Sequence, residues 1–159
     1  MADTIAAIAT GAQVAAIGII RISGPEALPI VDRLFRPASG KLMSEYEDRK
    51  LIYGRLTDRG GELLDLCLCT VSRAPHSYTG EDTAELQCHG SPTVLRAALE
   101  ELFHAGARQA LPGEFTKRAF LNGRMELSSA EAVADIIDAE SIECAKNAAA
   151  QLSGAVAVK

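Results

Sequence analysis

Hydrophobic and polar positions alternate early in the chain and recur at helical spacing late in it. Residues 4–9 (TIAAIA) form a short apolar run, and residues 17–22 (IGIIRI) a β-branched one, so both predict buried strands. A loop of small residues, 10–15 (TGAQVA), separates them. After the turn Ser23-Gly24-Pro25, Ala27, Leu28, Val31, Leu34 and Phe35 recur at helical spacing, with Pro25 suited to the first turn. Residues 36–49 are polar and read as an exposed connection. Residues 50–57 and 63–71 alternate around Asp58-Arg59-Gly60-Gly61 and predict a hairpin. A long polar loop, 73–82 (RAPHSYTGED), precedes a further alternating run, 83–88 (TAELQC). Ser91 before Pro92 is a good N-cap with Pro at the first helical position, and 93–103 is amphipathic.

From there the period is helical. Residues 112–121 predict a short helix closed at Asn122-Gly123. Ser128-Ser129-Ala130-Glu131 resembles a capping box that opens a helix to about residue 138, and an Ala-rich helix continues over 139–152. The expected fold class is α+β: a mixed β-sheet with packed helices over 1–120, then the beginning of a helical unit over 121–159. No obvious partner exists within the chain for the apolar face of that tail. It is expected to belong to a longer protein or to pack on a second copy.

Composition narrows the function classes. With 48% apolar residues the chain can build a core without staples. A net charge of −5 argues against gripping nucleic acid alone, since such domains are usually basic. The longest apolar run, 14–20, falls far short of the roughly 20 residues that span a bilayer, and Asp3 stands where a signal peptide carries positive charge. A cytoplasmic location is expected, without membrane association.

Motifs of catalysis are missing from the sequence: there is no G-x-x-x-x-G-K-[ST], H-E-x-x-H, G-x-S-x-G or G-x-G-x-x-G. Of the four cysteines, Cys67 and Cys69 alternate with leucines and Cys88 ends a strand pattern, so they read as buried free thiols. Zinc held by Cys67, Cys69, Cys88 and His89 is disfavoured because C-x-C lacks a matching second pair; no metal site is expected. His76 and His89 have no acid placed beside them by sequence to orient a base for Ser77, Ser91 or Cys88, so no catalytic residue is assigned. Two charges stand inside apolar strands: Arg21 in IGIIRI and Glu85 in TAELQC. Such charges are excluded unless they face solvent, pair with each other, or line a pocket.

Longer blocks decide between these readings. TIAAIAT (4–10), GIIRISGP (18–25), PHSYTGED (75–82), ELQCHGSP (85–92), PGEFTKRAFLNGRMELSSAEAVADII (112–137) and QLSG (151–154) resemble, in order, the bacterial tRNA modification GTPases of the MnmE (TrmE) type. The resemblance implies an amino-terminal domain similar to the folate-binding domain of the glycine-cleavage T-protein. It also implies a homodimer, and a tetrahydrofolate derivative of the 5-formyl or methylene type as one-carbon donor. Together with the flavoprotein MnmG, such proteins modify C5 of the wobble uridine of tRNA. GTP, potassium and magnesium serve a GTPase domain that this chain is expected to lack, so no hydrolysis is expected of it alone.

The resemblance places folate contacts at Arg21, Glu85 and Arg124. A carboxylate such as Glu85 accepts two N–H bonds from a pterin edge. Arg21 suits a pterin carbonyl, the carried one-carbon oxygen or a tail carboxylate, and Arg124 the anionic glutamate tail. Two features depart from the family: position 124 is usually Lys, and the loop TGAQVAAIG replaces a Pro/Gly-rich stretch. His76, Ser77, Tyr78 and Thr79 match the family's loop without an assigned role. The alternative to folate binding is a structural dimerisation domain.

Overall fold

A computed structural model describes residues 3–157. It has the expected α+β architecture, and its contacts group it into two compact units. The first comprises the residues up to Ser77 with Glu81–Pro112; the second comprises Tyr78–Gly80 with the residues from Gly113 onward.

The first unit is built on a seven-stranded sheet. Its strands are β1 (Ile5–Ile8), β2 (Ala15–Ser23), β3 (Phe35–Pro37), β4 (Ile52–Thr57), β5 (Leu63–Ser72), β6 (Thr83–Gly90) and β7 (Arg108–Gln109), in the order β3-β4-β5-β6-β2-β1-β7. All pairings are antiparallel except β1 with β7. Two helices, α1 (Ala27–Leu34) and α2 (Pro92–His104), cover one face. Their Leu28, Val31, Leu34, Leu95, Leu99 and Leu102 join alternate strand residues, Ile20, Ile22, Cys69, Val71 and Leu86 among them, in one core cluster. Gly18 is part of this seating: a Cβ there would lie 2.3 Å from Leu95 Cδ1. Because strand side chains alternate, the same strands present a second row to the opposite face.

Local signals predict most of these elements. Asp58 Oδ1 accepts from the N–H groups of Gly60 and Glu62, both at 2.9 Å, and closes the β4–β5 hairpin. Ser91 Oγ accepts from Val94 N at 3.3 Å, capping α2 as predicted. The first helix starts later than its pattern suggests. Glu26 N donates to Thr4 Oγ1 at 2.9 Å rather than entering the helix, and Phe35 turns extended to begin β3.

Within the connection 36–49, Asp48 receives Arg73 N (3.0 Å) and pairs with Arg73 Nη1 (2.5 Å), while Arg73 Nη2 donates to Ser44 O (2.6 Å). The Arg73 N–H, helped by the guanidinium, holds the Asp48 carboxyl below its ordinary value of 3.8. A depressed folded-state value stabilises the fold above the unfolded value and loses that contribution as pH falls. Asp48→Asn is therefore expected to cost about 1 kcal/mol at neutral pH, on the scale of a partly exposed charge-assisted pair. That difference shrinks below about pH 4, and urea midpoints across pH measure it; a penalty independent of pH would refute the assignment.

The second unit holds α3 (Glu114–Leu121), α4 (Leu127–Asp138) and α5 (Ile142–Ala157). Asn122 and Gly123 close α3 as expected, with Asn122 N donating to Arg118 O. The predicted capping box does not form. Helix α4 begins at Leu127 with Glu126 as N-cap, so Ser128 and Glu131 lie inside the first turns of the helix instead of framing its start. Ala139 is extended, and Ser141 Oγ accepts from Cys144 N (3.2 Å), so α4 and α5 are separate helices rather than one. Among the described residues no helix is long and apolar enough to cross a membrane.

Candidate functional site

The open face of the sheet carries the strand charges. β2 and β6 pair with Arg21 opposite Glu85, so the register alone brings them together. Arg21 Nε donates to Glu85 Oε2 at 3.1 Å, with 31% and 29% of the two side chains exposed. Thr70 on β5 flanks Glu85, and Ala7 on β1 flanks Arg21. At the turn beside the pair, Ser23 Oγ donates to Glu81 Oε1 at 2.8 Å and Gly24 N to Asp82 O at 2.9 Å. Of the sequence alternatives, mutual pairing is therefore realised, on a surface that solvent still reaches. A pair this exposed contributes about 0–1 kcal/mol, so a ligand can enter it at low cost.

Further along the same face Ile17, Tyr53 and Leu66 stand 60%, 52% and 39% exposed. They border a groove of about 390 Å³ whose lining also includes Leu68, Gln87 and His89. Exposed apolar side chains gathered on one face mark a surface for interaction.

Arg124 belongs to the second unit, in the exposed turn between α3 and α4, with its N–H on Ala119 O at 2.8 Å. The family-like loop is anchored there. Asn122 Nδ2 donates to Thr79 O (2.8 Å), Tyr78 Oη bonds Thr116 Oγ1 (2.8 Å), and Gly80 packs against Asn122 and Arg124. Thr79 is fully buried and Tyr78 is exposed. His76 is exposed, its carbonyl accepting from Arg49 Nη1 at 3.0 Å.

One acid escapes sequence reading. Asp65 Oδ2 accepts from His89 N at 2.9 Å, and Asp65 Oδ1 lies 2.8 Å from His89 Nδ1. The two residues are 24 positions apart and meet only through the β5–β6 register, so no local signal could place them. The ladder between the strands ends at Leu68↔Gln87, and Asp65 satisfies the backbone donor released beyond it. The Cys67 thiol is held far above its ordinary range by its hydrogen bond with Cys88 and by burial; burial does the same for Cys69. Protonated thiols of this kind are not nucleophiles.

The family described as GTP-binding protein TrmE N-terminus matches residues 4–124. A tRNA modification GTPase MnmE of Symbiobacterium thermophilum is 51% identical over 97% of the chain, and one of Bacteroides fragilis 53% identical over 96%. A third, from a Synechococcus, is 48% identical over 97%. The chain spans about a third of the length of these relatives, 34%, 32% and 34% respectively.

Proposed function

The chain belongs to the family of TrmE amino-terminal domains, and on that premise we propose that it binds a reduced folate and self-associates within a tRNA modification GTPase. The observation that carries the reading is the Arg21–Glu85 pair, held side by side on an open sheet face by the β2–β6 register. A pterin edge offers two neighbouring N–H donors to the Glu85 carboxylate, and Arg21 then turns to an oxygen of the ligand. Arg124 supplies a forked cation for the glutamate tail. Its planar guanidinium matches a carboxylate, a geometry that a lysine could not reproduce.

The folate, of the 5-formyl or methylene type, is the one-carbon donor for C5 of the tRNA wobble uridine. The flavoprotein MnmG is the partner in the whole assembly, and GTP hydrolysis lies elsewhere in the longer protein. Self-association is assigned to the open face, where Ile17, Tyr53 and Leu66 are left uncovered.

Calorimetric titration with 5-formyltetrahydrofolate is expected to give saturable binding, and sedimentation a concentration-dependent dimer. A dimer without folate heat would establish the structural alternative. A monomer that binds nothing would refute both.

A further inference from the structure

The end of the β5–β6 ladder gathers donors that the folate reading does not use. Continuing the register Leu68↔Gln87 by one residue sets Cys67 directly opposite Cys88. A carboxylate oxygen of Asp65 and the two sulfurs all lie within 4.8 Å of one another. Both cysteines are buried, at 4% and 3% exposure, and the Asp65 side chain is 11% exposed. Donors around a tetrahedral zinc ion stand about 3.7 Å apart for bonds of about 2.3 Å, so rotamer adjustments of roughly an ångström would close the set.

We propose that Asp65, Cys67 and Cys88 form a binding site for a soft divalent cation of the zinc class, with water in the fourth position. Two thiolates with one carboxylate suit such an ion, which takes sulfur and oxygen ligands without geometric demand. A thiol that coordinates the ion surrenders its proton to the ion's charge, so two protons leave as the metal enters. His89 is the outer partner. Its backbone N–H and its ring hold the two Asp65 oxygens at 2.9 and 2.8 Å, the orienting contact that metal-bound carboxylates normally have. Cys67 and Cys88 point into the helix-covered core, and both residues also border the groove of about 390 Å³.

This site differs from the set weighed on sequence. Cys69, two residues along the same strand, drops out in favour of Asp65, and the second thiol comes from the neighbouring strand rather than from a paired motif.

Cobalt is the probe. The reduced, metal-stripped chain is titrated with Co²⁺ and followed by thiolate-to-cobalt charge-transfer absorption. One equivalent per chain is expected, displaced by Zn²⁺. Cys88→Ser should lose part of the charge-transfer intensity and weaken binding at least tenfold, while Cys144→Ser leaves both unchanged. His89→Ala removes an exposed ring and keeps the core intact; it should lower affinity about tenfold or more through Asp65. Absence of charge transfer in the folded wild-type chain overturns the proposal. So does a signal abolished by Cys144→Ser, or one untouched by both Cys88→Ser and His89→Ala.

Discussion

Replacing Glu85 with alanine is expected to weaken binding of 5-formyltetrahydrofolate by roughly 100-fold while leaving the fold almost as stable as before. The affinity loss follows from two charge-assisted hydrogen bonds to one carboxylate, together worth about 3 kcal/mol. The small stability effect follows from the exposure of the ion pair: with about 30% of each side chain open to water, the Arg21 contact contributes 1 kcal/mol or less.

Glu85→Gln separates recognition from packing. Glutamine keeps the shape and one acceptor but turns an N–H₂ toward a ligand edge that also donates. Its affinity should fall nearly as far as that of the alanine variant, with a thermal midpoint close to wild type. Calorimetry measures the first quantity and calorimetric melting the second. Wild-type affinity in Glu85→Gln would mean that the carboxylate does not read the pterin.

The largest effect on stability is expected at Gly24. This residue has φ +140°, which side-chain-bearing residues rarely adopt, and a Cβ there would lie 2.5 Å from Thr4 Cα and 3.0 Å from Asp3 O. Backbone cannot swing aside as a side chain can. Thr4 is also tied in place, because its Oγ1 accepts from Glu26 N and its carbonyl from Arg108 N. Gly24→Ala is therefore predicted to destabilise the chain by about 2–4 kcal/mol, combining strain with steric displacement. For a chain of this size that is a drop of roughly 5–15 °C in the melting midpoint.

Gly40→Ala is the control: φ is +85° but nothing lies within 4 Å, so only the conformational cost of about 1 kcal/mol remains. Equal losses in the two variants would show that the close approach of Thr4 to Gly24 carries no weight.

Sequence by itself determined the parts whose causes are local. The β4–β5 hairpin was legible because Asp58 and two glycines sit between alternating runs, and α2 because Ser91-Pro92 is a start signal complete in two residues. The family was legible because long blocks occur in order. The charges of Arg21 and Glu85 stood out since apolar strands otherwise exclude them. The capping box at Ser128 misled because the helix starts one residue earlier, at Leu127, which places Ser128 within it.

Tertiary structure alone decided what faces what. That Arg21 meets Glu85, that Asp65 meets His89, and that Cys67 rather than Cys69 stands across from Cys88 are all consequences of strand register. A shift of one residue would exchange the two faces of the sheet. Register is set by packing side chains from Ala6 to Ala107 into one core, a sum over contacts distant in sequence. Local propensity carries no information about that sum, so Arg21, Glu85 and the cysteines were readable one at a time, whereas Asp65 and the meetings across strands were not.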